Sequence, residues 1–171
     1  MIVPEIIVRN LQRKISVNVA ELEKFAGNAV QYALQLQKRR RTDLSELNEV
    51  FIWLISDRRM ALLHRNFLGQ SGPTDVMTFQ HGEIFISVET ARRHARAFGD
   101  SLVRELKLYI VHGLLHLHGF DDQTQSRAHK MKAAQEKILR TCSGALCAQS
   151  PLPGLQSSGR SRPSTATAGL N

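Results

Sequence analysis

Residues 105–122 read ELKLYIVHGLLHLHGFDD, and this stretch decides how the chain folds. Nearly every residue between Leu106 and Leu117 is apolar, which is typical of a helix that is buried on most of its sides. His112 and His116 interrupt the apolar run. Positions i and i+4 share one helical face, so both imidazoles can point at a single metal ion. The stretch therefore predicts a metal site on a buried helix.

The residues that follow the pair refine this prediction. His118 lies about 200° around the helix from His116, so its ring is expected to point away from the site. Gly119 ends the helix, after which either Asp121 or Asp122 can return to supply an oxygen ligand. The competing interpretation, two core histidines bonded to neighbouring groups, is less consistent with a pair on one apolar face followed by a turn and carboxylates.

Gly113 distinguishes this segment from the zinc-protease pattern. In the H-E-x-x-H pattern of those enzymes the Glu is the general base, and its absence here argues against peptide hydrolysis. Glycine inside a helix costs about 1 kcal/mol relative to alanine, so Gly113 also predicts a close approach of the backbone to a neighbour.

Strands and helices are interspersed along the rest of the chain. Residues 50–55 read VFIWLI, a continuous apolar run of strand length, which predicts a central strand covered on both faces. Further strands are predicted at Ile6–Arg9, Thr74–Phe79 and Glu83–Ser87, and helices at Val19–Gln37, Asp57–Leu68, Thr90–Phe98, from Ser101 to about His118, and from Thr124 through Leu139. This order predicts an α+β or α/β domain.

Length and composition predict one basic globular domain. The 171 residues are 42% hydrophobic and 22% charged, and the formal charge of +8 favours a polyanionic partner such as nucleic acid. The composition changes after Thr141, so a domain is expected at 1–142 and a disordered tail at 143–171, rich in Pro, Gly and Ser. Arg160 and Arg162 are the tail's only charges, which leaves +6 on the domain.

The sequence also predicts the compartment. Pro4 and Glu5 break the apolar start, unlike a signal peptide, and no run of 18 apolar residues could span a membrane. The chain has two cysteines, Cys142 and Cys147, both near its C-terminal end, so they cannot form a disulfide framework for the core. This indicates a reducing environment. We therefore expect a soluble, cytoplasmic protein.

Three motifs, HGLLHLHGFDD at residues 112–122, PTDVMTF at residues 73–79 and GEI at residues 82–84, together resemble the YbeY family. The first of them resembles the family motif H-G-x-L-H-L-x-G-Y/F-D-H. Residues 73–79, PTDVMTF, look like its P-T-D-V-L-S-F, and residues 82–84, GEI, are close to its G-D-I. The likeness runs from about Ile6 to Thr141, with order and spacing preserved. It implies an α+β fold, with a small mixed sheet of about four strands packed with about five helices.

The resemblance also implies a function. Members of the family are described as single-strand-specific, metal-dependent endoribonucleases that act in 16S rRNA 3′-end maturation and ribosome quality control. The expected partners are thus single-stranded RNA, 16S rRNA and the small ribosomal subunit. The implied metal ligands are His112, His116 and Asp122, with Asp122 standing where the family usually has His. Two His, one carboxylate and an open position form a known catalytic zinc set, so one Zn²⁺ ion is expected.

The implied catalytic residues depart from the family in one respect. Asp121 and Glu83 are the carboxylates expected to orient ligands or accept a proton, although each could be an ordinary turn or surface acid. The family's arginine before the Pro-Thr step is replaced by Leu68. Arg65, one helical turn earlier, is the candidate to take its role, and a solvated surface charge is the competing interpretation.

Two basic clusters are candidate RNA contacts, Lys38–Arg41 and the group of Arg92, Arg93 and Arg96, although charge runs are usually solvated faces.

Two other function classes stay open. The first is a non-catalytic ribosome-assembly factor with a structural metal site, which the loss of the arginine at Leu68 favours. The second is a non-haem iron oxygenase, because two His and one carboxylate can form a facial triad. A site on one buried helix and its following turn argues against the oxygenase.

Overall fold

A computed structural model describes residues 2–36 and 41–144, which form four strands and six helices. In chain order the elements are β1 (Glu5–Asn10), α1 (Val19–Leu36), α2 (Asp43–Glu46), β2 (Glu49–Ile55), α3 (Asp57–Leu68), β3 (Val76–Phe79), β4 (Glu83–Ser87), α4 (Val88–Phe98), α5 (Leu102–Leu117) and α6 (Gln125–Gly144). The expected count of about five helices omits α2, a single turn of four residues.

The strands form one open, mixed sheet in the order β1-β2-β4-β3. β1, β2 and β4 run parallel, and β3 is antiparallel to β4. The register sets Val8 opposite Ile52 and Ile52 opposite Ile84. Helix α1 connects β1 to β2, and the connection from β2 to β4 passes through α3 and β3, as parallel neighbours require. The predicted α+β class with a small mixed sheet is confirmed.

One face of the sheet carries the main core. The side chains of Val8, Ile52 and Ile84 are fully buried in the cluster formed with α1, α5 and α6. Helix α5 contacts α1, α4, α6 and the two strands β3 and β4. A helix with neighbours on so many sides must be apolar almost all round, which explains the composition of residues 106–117.

The other face is only partly covered. Helix α3 packs over one end of it, where Ile55, Met60 and Met77 form a smaller core. Trp53 of β2 packs against this smaller core but is only half-buried, and Phe51 is half-buried as well. The prediction that residues 50–55 form a central strand is confirmed, but the prediction that both faces are covered is wrong, because α3 reaches only the carboxyl end of β2.

Capping side chains set the helix boundaries. Ser101 accepts a hydrogen bond from the Arg104 N–H, and Gly99 closes α4 with a left-handed φ of 69°, both as predicted. Helix α4 starts at Val88 rather than Thr90, because Ser87, the last residue of β4, accepts from the Thr90 N–H and acts as the cap. Strand β4 therefore passes directly into α4.

The C-terminal helix α6 continues to Gly144, beyond the predicted end at Leu139. Residues 145–171 lie outside the described part of the chain, and so does most of the segment predicted to be a disordered tail. Within residues 2–36 and 41–144, no helix combines the length and apolar character that crossing a bilayer demands.

Candidate metal centre

The last two turns of α5 bring two imidazoles into contact. His112 and His116 are half-buried on one face of the helix, with their Nε2 atoms 3.0 Å apart. The ring planes are nearly perpendicular, at 82°, and the ring centroids are 4.6 Å apart. The spacing i, i+4 thus places two nitrogen atoms next to one point in space, as the sequence predicts.

The second nitrogen of each ring fixes its tautomer. His116 Nδ1 lies 3.1 Å from the carbonyl oxygen of Phe120, and a carbonyl only accepts, so Nδ1 carries the hydrogen. His112 Nδ1 lies 3.2 Å from Oε1 of Gln135 on α6, which selects the same tautomer. Both Nε2 atoms are therefore left with lone pairs only 3.0 Å apart, a repulsive arrangement that a bound cation relieves.

Asp122 completes the donor set. Gly119 turns the chain after α5 with a φ of 81°, and the Phe120 N–H bonds back to the Leu115 carbonyl at 2.9 Å. The turn brings a carboxylate oxygen of the exposed Asp122 to a position where one donor atom from each of His112, His116 and Asp122 lies within 4.8 Å of the others. Of the two candidate aspartates, Asp122 is the one that the structure brings to the histidine pair.

The surroundings favour a neutral His116. Burial lowers the pKa of this imidazole, and the nearby His112 lowers it further. Asp122, the Phe120 carbonyl and Asp121 act in the opposite direction without reversing the shift. A neutral imidazole is the form that binds a metal ion, so the depressed pKa keeps the ring available as a ligand at neutral pH.

Gly113 fixes the distance between the centre and the sheet. A β-carbon at this position would lie 2.7 Å from Cγ2 of Ile84, closer than side-chain atoms pack. The predicted close approach is therefore observed between the helix backbone of α5 and a side chain of β4. Because His112 precedes Gly113 directly, this contact also fixes where the first ligand lies.

His118 faces away from the centre, as predicted. Its side chain is buried, and its Nδ1 lies 3.0 Å from Oγ1 of Thr42 on the far side of α5. The structure does not group it with the three donor residues. The helical phase inferred from the sequence is therefore correct at this position.

The two additional carboxylates lie in different surroundings. Asp121 is turned toward α6, where its Oδ2 accepts from the Arg127 guanidinium at 3.0 Å. Glu83 lies on the opposite face of the sheet, because its neighbour Ile84 is the residue that packs against α5. The Glu83 carboxylate bonds Trp53 Nε1 at 3.1 Å and lies 2.8 Å from His81 Nε2. Asp121 thus adjoins Asp122 in the chain but lies outside the donor set, and Glu83 lies outside it as well.

Arg65 is not brought to the donor set. It lies exposed on α3, and among the described residues no hydrogen bond or ion pair joins its side chain to His112, His116 or Asp122. Leu68, at the position of the family arginine, is 54% exposed at the end of the same helix. An arginine side chain at position 68 would thus have room to extend.

The two basic clusters that are candidate RNA contacts differ in how their arginines are bound. Arg93 is held by the Asp57 carboxylate and by the Thr90 hydroxyl, so it links elements of the fold. Arg92 is half-buried and Arg96 exposed. In the second cluster Arg41 pairs with Glu46 at 2.7 Å, whereas residues 38–40 lie outside the described part of the chain.

Sequence reasoning missed two groups that orient the histidines. Gln135 lies 23 residues after His112, and only the packing of α6 on α5 brings the two together. The Phe120 carbonyl belongs to the backbone, so the residue type at this position does not indicate that it would bind His116. A polar residue on the α5-facing side of α6 is the one signal that could have pointed to Gln135.

Comparisons with known proteins agree with this arrangement. The family model described as Endoribonuclease YbeY matches residues 7–143. The protein named Endoribonuclease YbeY from Moorella thermoacetica is 39% identical over 110 residues, covering 53% of this chain and 70% of the relative. Its namesake from Pelotomaculum thermopropionicum is 32% identical over 149 residues, covering 78% of this chain and 94% of the relative.

A plant relative and a solved structure extend the likeness. Endoribonuclease YBEY, chloroplastic, from Arabidopsis thaliana is 30% identical over 149 residues, which is 77% of this chain and 25% of that protein. The solution structure of TM1509 from Thermotoga maritima shares the fold, with a TM-score of 0.54 at 24% identity, over 88% of this chain and all of that one. The family match covers most of the chain and includes the whole donor set, and the chain therefore belongs to the endoribonuclease YbeY family.

Proposed function

We propose that this protein is a zinc-dependent, single-strand-specific endoribonuclease of the cytoplasm that acts in 16S rRNA 3′-end maturation and ribosome quality control on the small subunit. The observation that carries the proposal is the convergence of His112, His116 and Asp122 within 4.8 Å. This donor set lies in a chain whose relatives are named endoribonucleases.

The donor set suits zinc in its chemistry. Two neutral imidazole nitrogens and one carboxylate oxygen are ligands that Zn²⁺ accepts in a catalytic site, where a fourth position stays open. The fixed Nδ1–H tautomers direct both Nε2 lone pairs to the same place. When bound, zinc would supply Lewis acidity toward a phosphoryl oxygen and would make a nearby water more acidic.

In this scheme, residues of the chain orient the two imidazole ligands and accept a proton. Gln135 and the Phe120 carbonyl hold the two imidazoles in the tautomer that leaves Nε2 free. Asp121, next to Asp122 and steadied by Arg127, is the carboxylate that we propose as proton acceptor for the attacking oxygen. That oxygen belongs either to water or to the 2′-hydroxyl of the RNA. Glu83, on the other face of the sheet, is assigned no contact with the reacting phosphate.

Metal counting and RNA cleavage test the proposal together. Native mass spectrometry is expected to find one zinc ion in the wild-type protein and none in the His112→Ala/His116→Ala variant. The wild type is expected to cleave unstructured RNA and to spare a duplex, and the double variant to lose cleavage. Full zinc content in the double variant would contradict the proposed ligands.

Two single variants serve as controls. His118→Ala removes a ring that faces Thr42, and His129→Ala removes an exposed ring whose Nδ1 lies 3.3 Å from the Gln125 carbonyl in its own helix. Both are expected to keep one zinc ion. Loss of zinc from His118→Ala in a folded protein would show that the ligands are wrongly assigned.

A second candidate is a non-catalytic assembly factor with a structural metal, and Leu68 in place of the family arginine favours it. If an arginine there stabilises charge on the phosphate, its absence is expected to slow cleavage by about 10²–10³-fold. Leu68→Arg is then expected to raise the cleavage rate without changing zinc content. No cleavage by the zinc-loaded wild type and by Leu68→Arg alike would favour the assembly factor.

A further inference from the structure

A cavity of about 260 Å³ lies on the exposed side of α3, on a different element from the metal centre. Its lining combines two arginines, an apolar floor and a short loop: Arg58, Ala61, Leu62, Arg65, Ser71 and Gly72. The lining contains no carboxylate. The lining surface is almost wholly apolar, so the two arginines contribute their aliphatic stems to it, and their charged ends flank an apolar cavity that has no acidic residue in its lining.

The two arginines are free to bind an external anion. They are seven residues apart on α3, so they share one face of the helix and lie about 10 Å apart along its axis. Both are exposed, and within the described part of the chain neither side chain makes a hydrogen bond or an ion pair, whereas Arg93 and Arg127 do. Their guanidinium groups thus keep all of their donors for a ligand.

The wall of the cavity is fixed in place. Gly69 ends α3 in the left-handed conformation with φ of 67°, and its N–H bonds the Arg65 carbonyl at 3.0 Å. The buried His64 donates its Nδ1 hydrogen to the Gly72 carbonyl at 2.9 Å. These two bonds anchor the loop at both ends, so the cavity is organised before a ligand arrives.

We infer that this cavity binds the phosphodiester backbone of single-stranded RNA, with Arg58 and Arg65 each paired to a phosphate. Guanidinium groups pair with phosphate through two parallel hydrogen bonds, and most protein contacts to nucleic acids are made to the backbone. The floor formed by Ala61 and the 44% exposed Leu62 can pack against a ribose or a base. The inference rests on the proposed function and adds to it an RNA contact apart from the metal centre.

Fluorescence anisotropy with a labelled, unstructured RNA tests this contact. The proteins are the wild type, Arg58→Gln/Arg65→Gln, and the control Arg13→Gln/Arg59→Gln, which removes the same charge from exposed residues outside the cavity. Titrations are made over a range of salt concentrations with the zinc-loaded proteins and an RNA whose linkages resist cleavage, so that cleavage does not compete. Cleavage of a short oligonucleotide by the zinc-loaded proteins is measured separately.

The cavity variant is expected to bind RNA about tenfold more weakly than the wild type, and its salt slope to fall by about 1.4, from two lost phosphate contacts at about 0.7 each. The control is expected to stay within about twofold of the wild type. Equal affinities and slopes in the two double variants, with the wild type binding and cleaving RNA, would overturn the inference and leave the proposed function standing. A wild type that neither binds nor cleaves single-stranded RNA would overturn both.

Discussion

At the scale of single residues, a β-carbon at Gly113 would make the shortest contact found for any described glycine. Gly113→Ala places a methyl group 2.7 Å from Ile84 Cγ2, so α5 must shift or Ile84 must leave its rotamer. Overpacking costs about 1–3 kcal/mol, and alanine regains about 0.5–1 kcal/mol inside a helix, so we expect a net fall in the free energy of unfolding of up to about 2 kcal/mol, measured by urea denaturation. Because the contact fixes α5 against β4, zinc affinity is expected to fall as well.

Gly27 provides the matched control for this prediction. It also lies inside a helix, α1, but a β-carbon there would have no neighbour within 4 Å. Gly27→Ala is expected to raise the free energy of unfolding by about 0.5–1 kcal/mol, because alanine loses less backbone entropy. Equal stability of the two alanine variants would contradict the tight contact at Gly113.

Asp122 makes the second prediction at this scale. Asp122→His places a nitrogen ligand where the carboxylate lies, and zinc accepts both kinds of donor. Because Asp122 is exposed, the larger side chain can be accommodated, and the variant is expected to fold and keep one zinc ion by native mass spectrometry. A folded Asp122→His protein without zinc would remove Asp122 from the ligand set and make Asp121 the next candidate.

The residues of the site differ in how far the sequence reveals them. The spacing of His112 and His116 is a local property of one helix, so it could be predicted without knowing the fold. Spacing alone leaves Asp121 and Asp122 open as the third ligand, and only the resemblance to the family motif points to Asp122, which the turn at Gly119 brings to the histidines. The role of Gln135 depends on how α6 packs on α5, which is a tertiary contact that no local pattern encodes.

At the scale of elements, the predicted helix bounds are close to the observed ones where a side chain encodes them. Ser101 and Gly99 mark helix ends through bonds and dihedral angles that belong to a few neighbouring residues. The order β1-β2-β4-β3 is different, because strand pairing joins residues far apart in the chain. The half-exposed face of β2 is likewise set by where α3 lies, which residues 50–55 alone do not determine.

Asp57 joins three elements at the carboxyl end of the sheet. Its carboxylate, at the start of α3, accepts hydrogen bonds from the Ser87 hydroxyl, from Thr90 and from Arg93 of α4. Burial by itself would raise the pKa of Asp57, but these three hydrogen bonds outweigh it and hold the pKa below the usual 3.8. The folded state thus favours the ionised carboxylate.

This network predicts a pH-dependent effect of Asp57→Asn. The ionised group contributes stability that is fully present above its unfolded pKa and is lost as the pH falls through the lower, folded pKa. At pH 7 the variant is expected to lose about 1–3 kcal/mol, because the buried Ser87 and Thr90 hydroxyls lose a charged acceptor. In urea denaturation, the difference from wild type is expected to shrink as the pH is lowered below 3.8.

Asp43→Asn is the control for Asp57. Asp43 is exposed in the first turn of α2, and its change is expected to cost less than about 0.5 kcal/mol at neutral pH. A difference between Asp57→Asn and the wild type that stays constant from pH 7 to about pH 3 would mean that the carboxylate charge does not carry the effect.

At the scale of the whole molecule, the described core ends with α6. Its last buried side chain is Cys142, which packs in the main cluster beside Leu139 and Ile138. Burial raises the pKa of the Cys142 thiol, so this cysteine is expected to act as a small apolar residue rather than as a reactive group. The domain boundary at residue 142 stays a prediction, since α6 continues to Gly144 and the residues that follow lie outside the described part of the chain.

Truncation tests whether the domain is complete at this point. A chain that ends after Gly144 retains every described core residue, so its Tm is expected to lie within about 2 °C of the full chain and its zinc content to be unchanged. A chain that ends after Leu139 also loses Cys142 and the last turn of α6, and its Tm is expected to fall by at least about 4 °C. Both are measured by calorimetry at equal protein concentration. A clear loss of Tm on removing residues 145–171 alone would show that this segment packs against the domain, contrary to the prediction of a disordered tail.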